Sequence, residues 1–401
     1  MKKKSLILVL VVAMVMALFV ACSGDNNTDE TKGEETKETQ GTETEGTVED
    51  TDEAGDEDAA LKVAIVSSPS GVDDGSFNED NYNGILAFIA QNPDTTVQAV
   101  REPSGDPTAS VQAVADIVAD YDVIVTPGFQ FAGISSLAVD NPDKMFILID
   151  SEPAEVDGQT EFDNIYSMTF KEHESGFFAG IAAALETETN KVAVVNGIAF
   201  PSNVNYQFGF EAGVNYANAH LDTDVEIVEL ASYAGTDVTN ANVGGNYVGD
   251  FADEATGKVV GNALIAEGVD VLFVAAGGSG NGVFTAAKEA DNNIKVIGCD
   301  VDQFDDGVYG GGNIIITSGL KVMSINVERA LNAIKDGTFE GGHALLGADT
   351  DSTGYVAEDG RHQLSDDTIT ALEEAYSKIK AGEIVPPDNF SEATPEEFPG
   401  L

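Results

Sequence analysis

From Leu61 onward, short apolar runs alternate with helical stretches, and the alternation runs through twice. In the first block the apolar runs fall at 61–66, 96–100, 123–125 and 145–149, with helical spacing at 76–91, 107–119 and 133–140. In the second, a helix at 172–185 leads into an apolar run at 191–195, and further strands are expected at 224–230, 269–274 and 295–299, again with helices between. Runs that are apolar throughout suit strands covered on both faces, and strands separated by helices pair in parallel through crossovers. The expected fold is therefore α/β, with two Rossmann-like lobes built on parallel sheets. Residues 61–168 form the first lobe and 169–300 the second. Later elements (strands at 313–318 and 354–356, helices at 322–336 and 365–381) return the chain to both lobes. On this reading roughly 301–340 complete the first lobe and 341–401 the second. Several crossings make a hinge, and a ligand site belongs between the strand C-termini.

The N-terminus follows other rules. Lys2, Lys3 and Lys4 precede an apolar run from Leu6 to Val20, about the length of a secretory signal core. The run stops at Phe19-Val20-Ala21-Cys22, which resembles a bacterial lipobox with Phe19 where Leu is usual. Residues 1–22 are thus expected to be a signal segment, with Cys22 lipidated as the first mature residue. The competing readings are an uncleaved anchor and a plain secretory signal. Residues 23–60 hold 15 acidic side chains against two lysines and almost no large aliphatic residue. Such a segment buries too little apolar surface to fold, so it is expected to be a disordered tether with a reach of about 35 Å. The body is then held at the extracytoplasmic face of a membrane.

Charge and residue counts exclude several classes. With 19 Lys+Arg against 70 Asp+Glu, the formal net charge is -51. Nucleic-acid binding needs a basic surface, which this chain lacks. Two Cys and four His, the latter scattered at His173, His220, His343 and His362, give no metal cluster. No Gly-x-Ser-x-Gly elbow occurs in the body, so Ser/His/Asp machinery has no support in the sequence. The stretch from Ala276 to Gly282 fails the dinucleotide spacing, and Gly257-Lys258 lacks the rest of a phosphate loop. What remains for that stretch is a close backbone approach to a neutral ligand, or a plain tight turn. Asp300-Val301-Asp302-Gln303 fails as a calcium loop because Phe304 takes a ligand position. A carboxylate closing a strand can accept two hydroxyl hydrogen bonds from a diol; the bland reading is a solvated turn. No cofactor, metal or catalytic residue is expected.

One run of residues points further. Val72-Asp73-Asp74-Gly75-Ser76-Phe77-Asn78, after the first strand, resembles a signature of the basic membrane protein family of lipoprotein receptors. These are the purine nucleoside-binding components of ABC transporters. Matching segments follow in order: Phe146 to Asp150, Gly209-Phe210-Glu211-Ala212-Gly213, Phe251-x-Asp253, Ala276-Gly277-Gly278-x-Gly280, Ile297 to Gln303, and Thr317-Ser318-x-x-Lys321. The resemblance spans roughly 61–379; Tyr82 stands where Trp is common and Tyr206 where Phe is common. It implies a type I periplasmic-binding-protein-like fold and a nucleoside ligand. It also implies a permease and an ATPase as partners, and no enzymatic activity. It further implies that Phe77 and Phe251 sandwich the base, with Tyr206 in the wall. Asn78 and Asp73 or Asp74 would serve polar edges, and Asp150 the base edge. Asp300 and Lys321 would hold the ribose, and Gly278 would make a backbone contact. The alternative is a type I receptor for a sugar or autoinducer.

Overall fold

The computed structural model describes residues 60–290 and 293–401; Cys22, the signal segment and the tether up to residue 59 lie outside the described residues. In the first block β1 (Lys62–Ser67), β2 (Thr96–Arg101), β3 (Val123–Pro127), β4 (Met145–Ile149) and β5 (Ile165–Phe170) enclose α1 (Phe77–Gln91), α2 (Pro107–Ala115) and α3 (Ser135–Asp140). The second block holds α4 (Glu172–Glu186), β6 (Lys191–Asn196), α5 (Pro201–His220) and β7 (Glu226–Ile227). A hairpin of β8 (Gly235–Thr236) and β9 (Asn242–Gly244) precedes α6 (Glu254–Ala266), β10 (Val271–Ala275), α7 (Gly280–Glu289) and β11 (Lys295–Asp300). A second hairpin, β12 (Val308–Tyr309) and β13 (Gly312–Asn313), leads to β14 (Ile315–Lys321), α8 (Ser324–Lys335), β15 (Gly342–Leu346), β16 (Thr353–Tyr355) and α9 (Asp366–Lys380).

The strands form two six-stranded sheets, ordered β15-β5-β4-β3-β1-β2 and β16-β14-β11-β10-β6-β7. Every pair in the first is parallel. The second is parallel except where β16 joins β14. Strand by strand the orders correspond, β1 to β6, β3 to β10 and β4 to β11. The central strands are buried because helices cover both faces: Val63, Ile65, Val123 and Ile147 pack toward α1 and α8, while Ile124, Phe146 and Leu148 pack toward α2 and α3. The two-lobed α/β architecture expected from the alternation is the one observed.

The assignment of late elements to lobes differs from expectation. β14, expected to complete the first lobe, pairs with β11 in the second sheet. Of the elements between 301 and 340, α8 is the one that crosses back, seating Val327 and Leu331, with Met323 just before it, in the first core. β15, expected in the second lobe, pairs with β5 in the first. β5 and β15 are not evident as apolar runs: Tyr166, Ser167 and Thr169 interrupt one, and the other is a half-exposed edge. The run at 224–230 contracts to Glu226–Ile227. β14 extends to Lys321, which makes that lysine the last residue of a strand.

Two packing features fix the ground beneath the cleft. Gly176 and Gly180 of α4 face Gly209 and Gly213 of α5 so closely that a Cβ at any of them would lie 2.1–2.4 Å from backbone of the other helix. Backbone-to-backbone contact draws the N-terminal half of α5 against the start of α4. The start of α4 also ties the chain crossings together. Glu174 Oε2 accepts from Ala348 N at 2.7 Å and Thr353 Oγ1 at 2.6 Å. Ser175 Oγ donates to Leu320 O at 2.6 Å and accepts from Gly354 N at 3.2 Å.

Candidate functional site

Between the C-terminal ends of the two sheets lies a cavity of about 580 Å³ counted out to its mouth, the size of a small-molecule site. The first lobe contributes the turn after β1, the start of α1 and the ends of β3 and β4. The second contributes the start of α5, the segment before α6, and the ends of β10, β11 and β14. The lobes touch across it. Ser70 Oγ donates to Phe251 O at 2.8 Å, Ser76 Oγ to Asp300 Oδ2 at 3.2 Å, and Gln303 Nε2 to Gly75 O at 3.2 Å.

One end of the cavity is charged. Lys321 is 2% exposed, and its Nζ lies 2.6 Å from Asp150 Oδ2, 3.6 Å from Asp300 Oδ1 and 3.7 Å from Glu172 Oε1. Burial works against the ammonium, but the three acids overcome it and hold the lysine above its ordinary range. Burial pushes the Asp150 carboxyl up against the pull of Lys321, and pushes Glu172 up to about 8. Glu172 Oε2 accepts from Asn205 Nδ2 at 2.9 Å. Tyr206 donates its hydroxyl to Asp300 Oδ1 at 2.7 Å; burial and the Asp300 charge keep that phenol protonated. Asp150 and Asp300 close corresponding strands, and both hold left-handed backbone, with φ of 58° and 69°. Such conformations in non-glycine residues concentrate at functional sites. Asp150 Oδ1 is buried with no hydrogen-bond partner among the described residues.

The other end is aromatic, and its acid, Asp74, has both oxygens engaged by N–H groups at the start of α1. Strands in a sheet stand about 4.8 Å apart, so the end of β1 lies roughly 10 Å from the end of β4, with β3 between. Here stand Ser68, Ser70, Phe251 and Gly277, with Phe129 and Phe200 beside them. Phe200 lies 6.1 Å from Phe251, and Phe129 of the first lobe lies 5.6 Å from Phe200 of the second, centroid to centroid. Phe77 reaches toward the charged end, with Lys321 Nζ 4.7 Å from its ring centroid.

Of the residues singled out in the sequence, Asp74, Phe77, Asn78, Asp150, Tyr206, Phe251, Asp300 and Lys321 all line this cavity. Asp73 does not; it is exposed in the turn. Gly277, with φ of 51°, lines the wall in place of Gly278. Asp74 has both oxygens engaged by the start of α1. Asp150 stands at the charged end beside Asp300, away from the aromatic end. Ser68, Phe129, Gln130, Phe200 and Asn203 carry no motif in the sequence and are brought in by the topology. Among the described residues no group of His, Cys, Asp and Glu is arranged to hold a metal ion, and no helix is long and apolar enough to cross a membrane.

Comparison with known proteins gives a consistent set of similarities. Residues 61–237 and 231–389 match the Bmp family, described as ABC transporter substrate-binding protein, PnrA-like. A CD4+ T-cell-stimulating antigen of Listeria monocytogenes is 30% identical over 341 residues, 81% of this chain and 88% of its own length. The ABC transporter nucleoside-binding protein BmpA of Lactococcus lactis is 28% identical over 342 residues, 80% of this chain and 86% of its own. Among solved structures, an ABC transporter solute-binding protein from Aeropyrum pernix matches with a TM-score of 0.68 at 25% identity, over 82% of this chain and 94% of that one.

Proposed function

The chain belongs to the Bmp family of PnrA-like ABC transporter substrate-binding proteins, and we propose that within it this protein captures purine nucleosides and delivers them to a membrane permease. Its family is one of binding proteins, so the cleft is a site of capture rather than of chemistry. The observation that carries the nucleoside reading is the polarity of the cavity. A cluster of three acids around a lysine faces an aromatic end roughly 10 Å away, across two strand spacings. A ribose is dense in hydroxyls that both donate and accept, which suits Asp300, Lys321 and the unpartnered Asp150 Oδ1. A purine is flat and suits Phe77 and Phe251, at about 1–3 kcal/mol per stacked base. Asp150 then serves the sugar, not the base edge. Phosphate esters are disfavoured by the acids around Lys321 and by a net charge of -51. The nucleoside-binding relative from Lactococcus lactis supports the same reading.

Capture follows from the two-lobed build. A ligand that touches both lobes stabilises the closed arrangement by its differential affinity for it. In the same proposal Cys22 carries the lipid that anchors the protein, and the acidic tether spaces the cleft from the membrane. Mass spectrometry of native protein should find acylated Cys22 at the mature N-terminus; an intact 1–21 segment would overturn the anchor. A thermal-shift panel of nucleosides, bases, sugars and nucleotides tests the ligand class. Nucleosides should give the largest stabilisation. A larger shift with a free sugar would favour the sugar receptor.

A further inference from the structure

The hydrogen-bond polarity at the aromatic end bears on a residue that no motif marks. Asp74 is buried at the start of α1, and four N–H groups converge on it. Ser76 N and Glu79 N meet Oδ1 at 3.1 Å each, while Asn78 N and Asn78 Nδ2 meet Oδ2 at 3.2 and 2.7 Å. A carboxylate surrounded by donors acts only as an acceptor. It therefore fixes which way the Asn78 amide points, because the reversed amide would set oxygen against oxygen at 2.7 Å. The contact from Ser68 N to Asn78 Oδ1, at 3.4 Å, agrees with that orientation.

The consequence passes to Ser68. The second hydrogen of Asn78 Nδ2 goes to Ser68 Oγ at 2.9 Å. Ser68 Oγ thus receives a hydrogen bond from an amide that cannot accept one in return. Its own O–H has no acceptor among the described residues, and Ser68 is 9% exposed and lines the cavity. Ser70, two residues on, is the opposite case: its O–H is committed to Phe251 O, so only its lone pairs remain for a ligand.

We infer that Ser68 is a specificity residue: held as a donor by the Asp74–Asn78 relay, it hydrogen-bonds an acceptor atom (a ring nitrogen or carbonyl oxygen) on the base of the bound nucleoside. This rests on the purine-nucleoside reading above. Asp74 and Asn78 are then positioning residues. They set the polarity of Ser68 and have no donor of their own to offer the ligand. A buried hydroxyl donor left without an acceptor is penalised, so a base lacking that atom binds more weakly.

The test is calorimetry on the full chain and on Ser68→Ala. The ligands are the tightest-binding of adenosine, guanosine and inosine, its 3-deaza and 7-deaza analogues and, for adenosine, the 1-deaza analogue or, for a 6-oxopurine, the 6-hydrogen analogue. One acceptor-deleted analogue should bind wild type about tenfold more weakly than its parent. Ser68→Ala should bind the parent about tenfold more weakly and should not distinguish it from that analogue. A structural role alone moves all ligands together, so parallel losses in both proteins overturn the assignment. So does a wild type indifferent to every analogue, a result that needs no variant. Binding of no purine nucleoside to wild type would sink the functional reading itself, and this inference with it.

Discussion

Asp150 and Asp300 close corresponding strands of the two sheets, share left-handed backbone, and flank the same Lys321 ammonium at 2.6 and 3.6 Å. The lysine belongs to β14 of the second sheet and Asp150 to the first, so the pair also joins the lobes. The charged end of the cleft and the link between the lobes are therefore one cluster.

Removing the lysine should show this. Lys321→Met leaves buried acids facing one another with no cation. Breaking a buried pair in this way costs about 3–5 kcal/mol. Urea denaturation should report a loss of that order, with nucleoside binding abolished in protein that remains folded. A variant as stable as wild type that still binds would contradict the cluster's role.

The aromatic end makes a separate prediction. Phe251→Ala should weaken nucleoside binding by about 1–3 kcal/mol. Phe77→Ala should do likewise, and it also removes the ring beneath Lys321. Free ribose, which stacks on nothing, should bind the Phe251 variant and wild type alike. Calorimetry in which ribose suffers as much as the nucleoside would remove Phe251 from the base site.

Much of this was legible in the residues, and the limits have physical causes. Strands covered on both faces are apolar throughout, so β1, β3, β4 and β11 stand out. β5 and β15 do not, because hydroxyl side chains or a half-exposed edge dilute the pattern. The lobe that an element joins is a matter of long-range pairing, which is why β14 and β15 exchange places relative to expectation. Asp300, Lys321 and Phe251 were readable from family-like segments. Asp74 was readable as important, but its role as an anchor for Asn78 depends on four donors converging in space. Ser68, Phe129 and Phe200 lie in unremarkable turns and become site residues only when two sheets face each other.

Stability should depend on pH through groups that burial shifts. Glu211 is pushed up to about 8 by burial, with Glu229 and Glu396 adding to it. An unfolded Glu titrates near 4.3, so between there and about 8 the native state holds a proton the unfolded state lacks. Stability from this group is full below the unfolded value and is lost as pH rises toward 8. Glu211→Gln should therefore stabilise the protein more at pH 8 than at pH 5. His173 acts in the opposite sense: burial lowers it to about 4, so its contribution is lost as pH falls below about 6.5. Denaturation midpoints across pH 4–8 check both, and a Glu211→Gln curve parallel to wild type would contradict the first.

The acid nearest the proposed sugar gives a ligand-dependent test. Asp300→Asn keeps the size of the side chain but loses the charge-assisted acceptor and weakens the bond from Tyr206. Ribonucleoside affinity should fall by at least tenfold, since bonds to charged groups are worth about 1.5–3 kcal/mol. Free-base affinity should change little. Equal losses for both ligands would count against Asp300 as a sugar contact.

The central claim is that the cleft reads a base and a sugar together, and competition calorimetry on the wild-type chain tests it most directly. Matched ribonucleoside, 2′-deoxyribonucleoside, free purine base and free ribose are titrated under one condition. The account predicts that the ribonucleoside binds tightest, the deoxyribonucleoside more weakly, and the base and the sugar alone weakest. Free ribose or free base binding as tightly as the ribonucleoside would contradict it.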